Sequence, residues 1–113
     1  MTDLAPTWTS RMNEALRLLA ESDEQEAELR TLVEKSKKSM DAKFKTIAAH
    51  SGKKIVLERE AYALEHAEYQ TTEAAYLNAL TQHGKLKNER ATHVITIDVW
   101  RSLNAARNKG QIV

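Results

Sequence analysis

Residues 55–83 read IVLEREAYALEHAEYQTTEAAYLNALTQH, and the fold turns on whether this stretch is one helix. It holds neither Gly nor Pro and is rich in Ala, Leu and Glu, which lose little on entering a helix. The composition predicts an unbroken helix of about eight turns. Ile55, Tyr62, Tyr69 and Tyr76 recur every seven residues, with Arg59, His66, Glu73 and Leu80 between them, so the tyrosines share a face. A second row holds Leu57, Ala61, Leu64, Ala67, Ala74, Ala75 and Leu77. Two apolar rows call for neighbours on two sides, as expected of a central helix.

Working outward, glycines bracket the stretch. Gly52 follows His50 and Ser51 and precedes Lys53 and Lys54, a pattern that suits a helix C-terminus and a tight reversal. Upstream, Met12, Ala15, Leu16, Leu19 and Ala20 keep helical spacing, and Leu29, Leu32, Val33, Met40, Phe44, Ile47 and Ala48 continue the stripe. Ser22 and Gln25 form the ends of a capping-box pattern, yet strong helix formers flank them and continuity is the expected outcome. Pro6 restricts Ala5 and predicts an irregular arm over residues 1–9, with Trp8 an apolar anchor at the helix start.

Downstream, Gly84 suggests a second reversal. The segment THVITIDVW, residues 92–100, has the β-branched residues of a strand but no partner strand elsewhere, so residues 87–108 are expected to form a helix. Gly110 would end it and leave a short tail over 110–113. The expectation is one all-α domain, an up-down-up antiparallel bundle with helices over 10–51, 54–83 and 87–108 and coiled-coil-like packing.

Charge alternates along the chain in support of reversals. Residues 21–34 carry six acids and one Arg, net −5, and residues 35–54 carry seven Lys and one Asp, net +6. Residues 55–84 have net −4 and residues 85–113 net +4. Reversal at Gly52 would bring Lys43 and Lys45 level with Glu58 and Glu60. Reversal at Gly84 would bring Lys85, Lys87 and Arg90 near Glu21, Asp23, Glu24 and Glu26, and Trp100 level with Tyr69. Exposed pairs are worth only about 0–1 kcal/mol each, so these blocks choose register while apolar burial supplies stability.

With no cysteine among 113 residues there is no disulfide framework and no thiolate chemistry. No apolar run approaches the roughly 20 residues that span a bilayer, and MTDLAPTWTS lacks the regions of a signal peptide, so no membrane association and a cytoplasmic location are expected. A formal net charge of +1 gives no global pull toward nucleic acid. Lys35 and Lys54 bound a basic segment that could track phosphates, but acidic stretches lie in the same chain. None of His50, His66, His83 and His93 has Glu three residues before it, so the Glu-x-x-His signature of bundle metal sites is missing. No nucleophile, base and oxyanion donors can be assembled, so neither an enzyme nor a cofactor is expected.

The residues left for function are an interaction set. Tyr62, Tyr69 and Tyr76 suit a helix seam or a subunit interface, since each buries a ring and keeps its hydroxyl wet. Asp98, Trp100, Arg101 and Asn104 form a polar-aromatic cluster near the C-terminal end. A first helix of roughly 60 Å would overhang its neighbour and leave Met12, Leu16 and Leu19 to be covered by the third helix or a second copy. The expected function is a self-associating helical scaffold or adaptor, a homodimer through protein–protein contacts. The alternative is weak, sequence-nonspecific nucleic-acid binding through residues 35–54.

Overall fold

The computed structural model describes the backbone of residues 4–110 and the side chains of residues 7–109. It is all-α, with three helices and no strand among the described residues: α1 (Leu4–Ala49), α2 (Val56–Glu65) and α3 (Ala67–Gly110). The long α1 packs against α3 as a helical hairpin, and α2 is the third helix. Residues 92–100 are helical despite their β-branched side chains, and Ile97 is buried.

Two compact units divide the chain. In the first, the part of α1 up to Glu26 meets the part of α3 from Lys85 onward. Thr9 meets Trp100 and Ser22 meets Arg90, so numbers rise on one helix as they fall on the other. The second unit, Ala27–Gly84, holds the rest of both helices, the turn and α2. Its core is Ile47, Ala63 and Tyr69, with Met40, Phe44 and Ala48 packed against it.

Buried and half-buried positions on α1 alternate three and four apart: Met12, Ala15, Leu19 and Ser22, then Leu29, Val33, Ser36, Met40, Lys43 and Ile47. On α3 the same alternation runs through Tyr69, Thr72, Tyr76 and Ala79, then Leu86, Arg90, His93, Ile97, Trp100 and Asn104. Each helix therefore offers a narrow seam, and small or polar residues occupy much of it.

The turn after α1 forms at Gly52, whose φ of +78° lies in the left-handed region that glycine enters without a Cβ clash. Ser51 Oγ donates to the Ala48 carbonyl at 2.9 Å and accepts from the Lys53 amide at 3.2 Å. Arg59 Nε donates to the Lys53 carbonyl at 2.7 Å, tying the start of α2 back to the turn.

Several expectations need correction. Gly84 makes no reversal; it lies inside α3, because one glycine costs a helix only about 1 kcal/mol and the residues around it favour helix. The break falls at His66 instead, a single extended residue with ψ 134°. Extending the seam spacing of α3 backward from Tyr69 reaches Glu65, Tyr62 and Glu58, and burying two carboxylates without partners is costly. Breaking at His66 leaves both carboxylates exposed and buries Ala63. His66 Nδ1 accepts from the Glu68 amide at 3.1 Å, capping α3, and Gln70 Nε2 donates to the Leu64 carbonyl at 3.4 Å.

The helix bounds of 54–83 and 87–108 are thus replaced by Val56–Glu65 and Ala67–Gly110. At the N-terminus the arm expected over residues 1–9 is helical from Leu4, with Pro6 in the first turn, where a missing N–H breaks no helix bond. Residues 1–3 of that arm and 111–113 of the tail lie outside the described residues. No break occurs at Ser22.

Candidate interaction surface

Within the first unit, the sequence cluster of Asp98, Trp100, Arg101 and Asn104 splits. Trp100 and Asn104 are half-buried, and Trp100 Nε1 donates to Thr9 Oγ1 at 3.1 Å. Trp100 does not stand beside Tyr69 as expected, since both residues lie on α3. Asp98 and Arg101 are exposed and pair with each other at 3.7 Å along one helix. Only two of the four are therefore exposed, and these pair with each other.

Arg90 is the residue that sequence reading undervalued. Its Nη1 donates to the Leu19 carbonyl at 2.9 Å and to Ser22 Oγ at 2.7 Å, while Nη2 reaches Asp23 Oδ1 at 2.6 Å. The alternation of three and four that places Arg90 on the seam was available as a signal; the expected contact with Asp23 does form, though between antiparallel rather than parallel helices.

An open groove of about 350 Å³ lies nearby, lined by Ser10, Arg11, Glu14, Leu18, His93 and Thr96. A hydrogen bond from Arg17 holds the Glu14 carboxyl below its usual range; desolvation opposes it, and the charges of Arg17 and then His93 add to the lowering. Arg17 also donates to Glu21 at 2.7 Å, and its own pKa is raised by these two carboxylates. Arg11 sits over the Trp8 ring at 4.9 Å.

Inside the second unit the three tyrosines part company. Tyr69 is buried, edge-on to Phe44 with centroids 5.6 Å apart, and its hydroxyl donates to Glu73 at 3.3 Å. Burial pushes the phenol pKa up, and the nearby Glu73 and Asp41 add to the shift. Tyr76 is half-buried. Tyr62 lies on α2, 41% exposed and tilted against His66 at 5.9 Å. The break at His66 is what separates Tyr62 from the other two.

Lys43 meets Glu68 at 3.8 Å, not Glu58 or Glu60, because the chain spends residues 50–55 on the turn and shifts the register. The other six lysines of that run, Lys35, Lys37, Lys38, Lys45, Lys53 and Lys54, are exposed.

Sequence reading did not single out α2 as an exposed element. It buries Ala63 completely and little else, while Ile55, Val56, Leu57 and Leu64 stay open to solvent. Among the described residues no three His, Asp or Glu side chains come together as a metal site. No described helix is long and apolar enough to cross a membrane. No known protein family matches the sequence, nor does any curated protein or solved structure.

Proposed function

We propose that this protein is a small helical scaffold or adaptor that works by self-association, a coiled-coil-like hairpin that assembles as a homodimer. What supports this is the imbalance of apolar surface. The buried residues are Ala15, Ile47, Ala63, Tyr69, Ala79, Leu86 and Ile97, three of them alanines, while twelve large hydrophobics among the described residues are exposed. A monomer that leaves so much apolar side chain in water gains by covering it, at roughly 25 cal/mol for each Å² buried. No catalytic role is part of this reading, and a cytoplasmic location goes with it on the cysteine-free composition.

Sedimentation velocity from low to high micromolar concentration tests the proposal. A dimer that grows with concentration is expected; a monomer throughout would remove the reading. The exposed Lys35, Lys37, Lys38 and Lys45 favour a second reading, weak phosphate tracking on nucleic acid. A gel shift at low salt that disappears with added salt would support it, and no shift at low salt would dismiss it.

A further inference from the structure

We infer that the outward face of α2 is the docking site for α2 of a second copy, the two helices lying antiparallel about a two-fold axis near Ala61. This rests on the self-association proposed above and names its surface. A helix of ten residues is well below the length that holds itself in water, and the N-cap residue Ile55 provides no side-chain cap. Its contact with its own chain is narrow, since Ala63 alone of its residues is buried.

A separate side carries Leu57, Ala61 and Leu64, spaced four and three apart, which at 100° per residue form one row. Leu57 is 74% exposed and Leu64 51%. That row points about a third of a turn away from Ala63 and from the Ile47 and Tyr69 it touches. Two leucines flanking an alanine make the row self-complementary: under an antiparallel two-fold, Leu57 meets Leu64 of the second copy, and Ala61 lets the backbones approach closely.

Charge selects the same orientation and the same occupant. Residues 53–59 hold Lys53, Lys54 and Arg59 against Glu58, net +2, whereas residues 60–68 hold Glu60, Glu65 and Glu68, net −3. Antiparallel copies set the positive half against the negative half, and parallel copies would set like against like. Arg59 already donates to the Lys53 carbonyl and Glu68 lies 3.8 Å from Lys43, so Lys53, Lys54 and Glu65 are the groups best placed to pair across the axis. A contact this small falls under the usual size of stable interfaces, and an affinity of about micromolar order is expected.

Two measurements test it on the full chain. Leu57→Lys with Leu64→Lys alters only exposed positions, so circular dichroism should match the wild type while the dimer weakens by at least about tenfold in sedimentation. A dimer unchanged by these substitutions would place self-association elsewhere and overturn the docking site while leaving the scaffold reading intact; a wild type that never dimerises would end both. Because the chain has no cysteine, Leu57→Cys and Leu64→Cys chains can be mixed under mild oxidation. Preferential formation of the mixed disulfide dimer is expected, and faster pairing of Leu57→Cys with itself would refute the antiparallel arrangement.

Discussion

Arg90 Nη2 lies 2.6 Å from Asp23 Oδ1, and through Nη1 the same guanidinium reaches the Leu19 carbonyl and the Ser22 hydroxyl on the opposing helix. Asp23 is mostly exposed, so the ion pair itself contributes about 0–1 kcal/mol. Its larger effect is on register, since a slipped pairing would leave a half-buried guanidinium without acceptors. Arg90→Met keeps the length and removes the charge. Stability within about 1 kcal/mol of wild type is expected, with loss of register discrimination. The register places Ala15 opposite Ile97, both buried, and a slip of seven residues places it opposite Asn104. Cysteines at 15 and 97 should cross-link in either background, whereas cysteines at 15 and 104 should do so only with Arg90→Met. Absence of the second cross-link would show that Arg90 does not fix the register.

The two internal glycines have opposite roles, and alanine separates them. A Cβ added at Gly84 meets nothing within 4 Å, and the residue lies in the interior of α3. Gly84→Ala should stabilise the protein by about 0.5–1 kcal/mol through helix propensity. Gly52 also has open space around it, but its φ is +78°, where an alanine is strained. Gly52→Ala should destabilise by about 1–2 kcal/mol. Urea unfolding read by circular dichroism gives both signs, and destabilisation by Gly84→Ala would contradict its place in a continuous helix.

The contrast between these glycines shows how far the sequence could be read. Helical class, the continuity of α1 past Ser22 and the turn at Gly52 followed from local residues, because propensity and the Gly-Lys-Lys pattern agree there. Gly84 misled because glycine is compatible with both a helix interior and a helix end, and only the seam beyond it decides. The break at His66 has no Gly or Pro to announce it. It becomes visible when the alternation through Tyr69, Tyr76, Leu86 and Arg90 is carried backward and meets Glu65. For the same reason the seven-residue spacing of the tyrosines suggests one face, although a single extended residue puts Tyr62 outside the seam that holds Tyr69 and Tyr76. The exposure of Leu57 and Leu64 is not legible from spacing, since a second apolar row calls for a second neighbour whether or not the chain supplies one.

Alanines at the seam act as spacers that set how near the helices come. Ala15 and Ala79 are 2% and 1% exposed. Enlarging either to Leu forces side chains off their rotamers or the helices apart, at about 1–3 kcal/mol each. Ala27 is exposed on α1, and Ala27→Leu should change stability by no more than about 0.5 kcal/mol. Equal effects at all three positions would show that helix propensity, not packing, governs the response.

Tyr69 couples the second unit to alkaline pH. Burial, followed by Glu73 and Asp41, raises its phenol pKa above the ordinary 10.0, so the folded state holds the proton longer than the unfolded chain does. The contribution of this group is therefore complete below the unfolded value and is lost as pH rises above it through the folded value. Tyr69→Phe keeps the ring against Phe44, removes the hydroxyl that donates to Glu73 and removes the titration. The stability difference between wild type and Tyr69→Phe should be flat up to about pH 10 and then shift in favour of the variant as unfolded tyrosine ionises. Urea unfolding over the alkaline range measures this directly, and a difference independent of pH would mean that Tyr69 ionises alike in both states.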